Sequence, residues 1–115
     1  MMPKMVFGTM EYVDGREQSA ECLGEATLAA LEAGYRHLDC AELYESTPFV
    51  AKAIAACELP REEMWITSKV KGLPTGEYEA VKERVGAHID ALGVGSLDLL
   101  LVHWPGKSLI RLFRS

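Results

Sequence analysis

Four short apolar runs of strand character alternate with three stretches of helical period, and this alternation limits the fold more than any other feature of the sequence. "MVFGT" (5–9) is a strand closing on Gly8. From Ser19 to Ala33, Leu23, Ala26, Thr27, Ala30 and Leu31 recur at helical spacing, with Gly34 as the stop. "YRHLDCA" (35–41) reads as a strand, and Thr47-Pro48 as the N-cap and first turn of a helix whose apolar side includes Val50, Ala53, Ile54 and Cys57. "MWITSKV" (64–70) is rich in β-branched and aromatic residues, as strands are. Tyr78, Val81, Val85, Ile89 and Leu92 form the stripe of a third helix, ended near Gly93. "LDLLLVHW" (97–104), stopped by Pro105, is too apolar for one wet face and is expected to be covered on both sides. A strand-helix order of this kind predicts an α/β fold of parallel strands joined by right-handed crossovers.

Composition narrows the function classes. A chain of 115 residues, 49% hydrophobic and without biased segments, is one globular domain or part of one. A net charge of −5 gives no basic stripe for nucleic acid. Lys107, Arg111 and Arg114 set residues 106–115 apart as a short basic tail behind an acidic body, 1–105. No apolar run approaches the roughly 20 residues of a membrane helix, and "MMPKMVFG" lacks the apolar core of a signal peptide, so a soluble, cytoplasmic protein with no membrane partner is expected. Cys22, Cys40 and Cys57 are odd in number, lack CxxC spacing and lie in apolar segments, which predicts buried free thiols rather than disulfides or a zinc site. His37 reads as a packed or rim residue and His88 as solvated, and no carboxylate-histidine spacing points to a metal.

In parallel sheets, sites form at the C-terminal strand ends. Asp39 lies at the end of the second strand with Tyr44 just after it, Lys69 at the end of the third and His103 at the end of the fourth. Each has an ordinary reading alone: a turn carboxylate, a packing phenol, a snorkelling lysine, a satisfied core histidine. Together, a carboxylate, a phenol, an ammonium and an imidazole on one rim suit a single task. A phenol stays protonated near pH 7 and can donate to a carbonyl oxygen, a nearby ammonium makes it a better acid, and a carboxylate keeps that ammonium charged. An imidazole can donate a hydrogen bond to the same oxygen.

"GYRHLDCAELY", "REEMWITSKV" and "LDLLLVHWP" resemble the second, third and fourth strand segments of the aldo-keto reductases, NAD(P)H-dependent enzymes with a (β/α)8 TIM barrel. The resemblance covers roughly residues 5–105. It implies that Tyr44 is the proton donor in reducing an aldehyde or ketone to an alcohol, that Lys69 and Asp39 tune it, and that His103 orients the substrate carbonyl. It further implies that Gly8, Thr9 and Asp39 lie against the cofactor, NADPH in this family, and that Trp104 joins His103 in binding the substrate.

Departures from the family pattern are plain. Val6 replaces the first glycine of Gly-x-Gly-Thr, Met10 and Lys71 stand where aromatics are usual, and "YESTPF" replaces Tyr-x-Asn-Glu. No β-hairpin precedes "MVFGT". A barrel of this kind takes about 250 residues, so 115 are expected to supply its first four strands: a truncated, incomplete barrel comprising the N-terminal half of the domain (1–105) and the basic tail. The family's cofactor grip lies mostly in the other half, and neither GxGxxG nor a P-loop replaces it here. The open inner face, including parts of "ITSKV" and "LLLVH", and two bare edges predict self-association or a partner chain. Three readings stay open for the isolated chain: a reductase completed by a second chain, a non-enzymatic binding or regulatory half-domain, and a fragment without autonomous function. The last, an inactive isolated chain, is favoured. Which carbonyl substrate it serves, and NADPH against NADH, are not written in these residues.

Overall fold

A computed structural model describes residues 1–13, 16–17, 19–71 and 78–104. Pro105 and the basic segment 106–115 lie outside the described residues. In chain order the elements are β1 (Val6–Gly8), β2 (Tyr12–Val13), β3 (Arg16–Glu17), α1 (Ala20–Glu32), β4 (His37–Asp39), α2 (Thr47–Ala56), a 3-10 turn (Arg61–Glu63), β5 (Trp65–Val70), α3 (Tyr78–Leu92) and β6 (Leu99–Val102). β1, β4, β5 and β6 form one parallel sheet in that order, while β2 and β3 pair as a separate antiparallel hairpin. The hairpin follows β1 rather than preceding it.

Local chemistry explains the helix bounds. Ser19 caps α1 by accepting from the Cys22 amide at 3.1 Å. Leu23, Thr27, Ala30 and Leu31 are buried along one face, and Thr27 returns its hydroxyl to the Leu23 carbonyl at 2.7 Å. At the other end Gly34 takes φ +106. Its N–H donates to Leu31 O and that of Tyr35 to Ala30 O, the pair of bonds that closes a helix through a left-handed glycine. α2 begins differently from the expectation: Ser46, not Thr47, is its N-cap, with Pro48 in the first turn. The Ser46 hydroxyl is engaged elsewhere, donating to Thr9 O at 2.6 Å, so the side chain does not cap the helix.

The main core lies between the helices and one face of the sheet, built from Leu31, Leu38, Cys40, Val50, Ile54, Met64, Ile66, Leu92 and Val94. The register pairs Asp39 with Gly8 on one side and Thr67 on the other, and Lys69 with Leu101. Strand alternation therefore puts Gly8, His37, Asp39, Trp65, Thr67, Lys69, Leu99 and Leu101 on the face away from the helices. That face is not bare along β5. Thr67 is buried, with its Oγ1 2.7 Å from His37 Nε2 and accepting from Trp65 Nε1 at 3.2 Å. His37 is thus packed, as its alternation with Leu38 predicts.

Three expectations need correction. β6 is not covered on both sides: Leu100, Leu101 and Val102 are all exposed, because no described element packs on either side of this edge strand. The open surface lies on β6 and on the opposite edge strand β1, where Val6 and Gly8 are exposed, and not along β5, whose Ile66, Thr67, Ser68 and Val70 are buried. Cys22 is exposed, because it sits one position off the buried stripe of α1; Cys40 is buried and Cys57 intermediate, and all three are free.

Arg61 rivets the N-terminal ends of β5 and β6. Its guanidinium donates to Val94 O at 3.0 Å, Met64 O at 2.7 Å, Ser96 O at 2.7 Å and Asp98 Oδ2 at 2.6 Å. Asp98 Oδ2 also accepts from Ile66 N at 2.7 Å. Burial alone would push the Asp98 carboxyl up, but these donors hold it below the ordinary carboxylate range. Among the described residues no helix is long and apolar enough to cross a membrane.

Candidate active site

The C-terminal ends of β1, β4, β5 and β6 carry the polar groups that the sequence singles out. Asp39 closes β4, and its carbonyl is fixed by Thr9, whose N–H and Oγ1 donate to it at 3.1 and 3.0 Å. Thr9 is 1% exposed, so its hydroxyl is a structural tie between β1 and β4. From β5, the Lys69 ammonium donates to Asp39 Oδ1 at 2.6 Å, Cys40 O at 3.0 Å and Tyr44 Oη at 3.3 Å. All three of its donors are thereby used. Desolvation pulls the Lys69 ammonium toward the neutral form, but the bond to Asp39 and its charge, with help from Tyr44, outweigh this and raise its pKa.

Tyr44 sits in the turn between β4 and α2. Its N–H donates to Ala41 O at 3.1 Å, and the Thr47 hydroxyl donates to Tyr44 O at 3.0 Å. The same connection is anchored to the end of β1 by Glu11 Oε1, which accepts from Ser46 N at 2.5 Å, and by the Ser46 hydroxyl on Thr9 O. His103 extends the ladder beyond β6 with a bond from its N–H to Val70 O at 2.8 Å. Its ring meets Tyr44 edge-on at 5.9 Å between centroids and stacks on Trp104 at 4.3 Å. His103 Nδ1 is buried without a hydrogen-bond partner among the described residues. Trp104 itself is 51% exposed.

The structure therefore brings Asp39, Tyr44, Lys69 and His103 together, with Gly8 and Thr9 on the neighbouring strand end and Trp104 at the rim. Behind them, Cys40 faces the core, and burial pushes its thiol up to about 11, a rise that the neighbouring Thr9 hydroxyl only partly offsets.

Residues that the sequence reading passed over hold this rim in place. Glu42 accepts from Lys71 N at 2.6 Å and pairs with Arg84 of α3. His88 is not solvated: it is 6% exposed, and its Nε2 lies 2.7 Å from Ser68 Oγ. The expectation failed because His88 was judged by its neighbour Ile89, whereas α3 turns both positions toward the sheet. Among the described residues no cluster of His, Cys, Asp or Glu is arranged to hold a metal ion.

The sequence model of the aldo/keto reductase family matches residues 4–110. The 9,11-endoperoxide prostaglandin H2 reductase of Trypanosoma cruzi is 38% identical over 106 residues, covering 92% of this chain and 35% of that protein. The 2,5-diketo-D-gluconic acid reductase B of a Corynebacterium species is 40% identical over 86 residues, covering 75% and 31%. Among solved structures, a Bombyx mori aldo-keto reductase in complex with NADP superposes with a TM-score of 0.77 at 29% identity, over 90% of this chain and 35% of that one. The aldose reductase of Schistosoma japonicum gives 0.71 at 34% identity, over 90% and 34%. The chain spans about a third of the length of the curated relatives it matches. Its four parallel strands and their helices correspond to part of a (β/α)8 TIM barrel. By sequence and fold alike, the chain belongs to the aldo/keto reductase family.

Proposed function

We propose that this chain carries the proton-transfer side of an NAD(P)H-dependent reduction of an aldehyde or ketone to an alcohol. The observation that carries the reading is the single ammonium of Lys69, 2.6 Å from Asp39 and 3.3 Å from the Tyr44 hydroxyl. Carbonyl reduction adds a hydride to carbon and a proton to oxygen. A bound nicotinamide cofactor would supply the hydride. Tyr44 donates the proton from Oη, and the Lys69 ammonium stabilises the phenolate left behind. Asp39 holds that ammonium in its charged form. His103, edge-on to Tyr44 and with a ring nitrogen unpartnered among the described residues, orients the carbonyl oxygen toward Oη. Trp104, stacked on His103 and half exposed, offers an apolar wall to the substrate.

The residues present fit the nicotinamide end of such a cofactor. A Cβ placed on Gly8 would meet nothing within 4 Å, so a flat ring has room against the end of β1, beside Thr9 and Asp39. One relative of known structure was solved with NADP, which favours that cofactor here.

A second reading rests on β6. Leu100, Leu101 and Val102 lie exposed on both faces of an edge strand, which favours self-association or a partner chain, and with it a reductase that works only when assembled or a non-enzymatic half-domain. On its own the 115-residue chain is expected to be inactive.

Fluorescence titration of NADPH at several protein concentrations separates these readings. Saturable binding that tightens with protein concentration supports an assembled reductase, and aldehyde turnover should then fall about 10²- to 10⁴-fold in Tyr44→Phe. Turnover unchanged in that variant sinks the assignment of Tyr44 as proton donor. Absence of binding at millimolar cofactor from a folded chain removes the autonomous enzyme.

A further inference from the structure

β4 ends at Asp39, yet its ladder with β5 continues beyond that point in altered form. Cys40 N donates to Thr67 O at 2.8 Å, and Glu42 N donates to Lys69 O at 3.1 Å. In a regular parallel ladder the next bond would run from Lys71 N to the carbonyl of Glu42. Instead Lys71 N donates to Glu42 Oε1 at 2.6 Å. The carboxylate stands in for its own main-chain carbonyl, so the backbone leaves the sheet after residue 42 while residue 42 stays bonded on both sides.

That exit allows the turn at 41–44, closed by Tyr44 N on Ala41 O, to bring Tyr44 back over Lys69. The carboxylate is itself held. Arg84 of α3 grips both of its oxygens, Nε donating to Oε2 at 3.2 Å and the terminal nitrogen to Oε1. Glu42 is only 11% exposed in its side chain, and its partners come from the residue just past β5 and from α3. Asp39 and Lys69 sit within paired strands, and Tyr44 does not: Ser46 and Thr47 hold its connection on the far side, while the Glu42 contacts tie the near side to β5 and α3.

We propose that Glu42 is the positioning residue for Tyr44: by replacing its carbonyl in the β4–β5 ladder with a carboxylate braced by Arg84, it fixes the Tyr44 hydroxyl beside the Lys69 ammonium. The catalytic consequence rests on the reductase reading, but the geometry does not.

The test is nuclear magnetic resonance on the 115-residue chain, following two signals that need no turnover. One is amide exchange at Lys71; the other is the Overhauser contact between the Lys69 ε-methylene and the Tyr44 ring, over which the ammonium lies 5.1 Å from the centroid. In Glu42→Ala, Lys71 exchange should rise about tenfold or more, as expected for losing a bond to a charged acceptor, and the Overhauser contact should vanish while the Leu38 and Ile66 amides stay protected. Glu42→Gln gives up the Arg84 Nε contact but keeps the reach and one acceptor oxygen, which can still take Lys71 N and the Arg84 terminal nitrogen as Oε1 does, and should retain both signals. Both signals surviving in a folded Glu42→Ala overturns the proposal, and so does their loss in a folded Glu42→Gln. If Glu42→Ala does not fold, Glu42→Gln decides alone. Should the assembled protein reduce aldehydes, Glu42→Ala lowers kcat with KM unchanged and Glu42→Gln restores it; a change in KM alone overturns the role. Loss of turnover in the wild type with both signals present would reject the reductase reading and leave this one standing.

Discussion

At Lys69 three donors point at three different groups, and each bond has a different purpose. The one to Cys40 O ties β5 to β4, the one to Asp39 keeps the ammonium charged, and the one to Tyr44 puts that charge beside the phenol. A neighbouring residue shows the opposite treatment. Cys40 lies next in sequence to Asp39, yet its side chain points to the core, where burial raises its thiol to about 11. At pH 8 only about one Cys40 in a thousand is then thiolate. Cys22 is exposed. A thiol-reactive dye at pH 8 should therefore label Cys22 within minutes and leave Cys40 intact until denaturant is added, as mass spectrometry of the labelled peptides would show. Rapid labelling of Cys40 in the folded chain would contradict its burial.

At the scale of elements, α1 and α2 meet at Gly24, where a Cβ would come within 2.7 Å of Phe49 Cβ and 3.0 Å of Phe49 O. Backbone cannot yield there as a side-chain tip can. Gly24→Ala should destabilise the chain by about 1–3 kcal/mol despite the better helix propensity of alanine, read as a lower urea midpoint. α3 docks through a different chemistry. Burial holds the His88 imidazole below its ordinary pKa, partly opposed by the Glu42 carboxylate. As pH falls through about 6.5 the unfolded chain takes up a proton that folded His88 still refuses, so stability declines from there until the depressed folded pKa is passed. Urea midpoints between pH 7.5 and 5 should show this decline, and His88→Leu should flatten it. An unchanged slope in that variant would assign the decline to another group.

The elements themselves were legible in the sequence because their signals are local: Ser19 and Gly34 bracket α1, and the β-branched run of β5 stands alone. The meeting of Asp39, Tyr44, Lys69 and His103 was legible because strand ends are. What escaped was pairing at distance. Glu42 meets Arg84 across 42 residues and Ser68 meets His88 across 20, and no periodicity links such positions. β6 was misjudged for another reason: its apolar run was read as evidence of cover on both faces, whereas apolar composition specifies a demand for burial and not what meets it.

For the molecule as a whole, that unmet demand is the dominant feature. Among the described residues, Leu100, Leu101 and Val102 are 43%, 41% and 55% exposed on a strand that pairs only with β5, a combination that favours association. Sedimentation velocity of the 115-residue chain should show a mass that rises with concentration, and Leu101→Lys should shift it toward the monomer without unfolding the chain. A strictly monomeric wild type across that range would remove the partner-chain reading.

Arg61 gives the architecture a consequence for how such a protein can change over time. Its guanidinium fastens β5 and β6 at the rim opposite Tyr44 and Lys69. Strand register is thus secured at the end of the sheet away from Asp39, Tyr44, Lys69 and His103. Loops at the rim of Tyr44 and Lys69 can lengthen, shorten or exchange residues without loosening the fastening. The fastening and the candidate site occupy opposite ends of the same strands, so a loop can be rebuilt at one end while the strand register is held from the other.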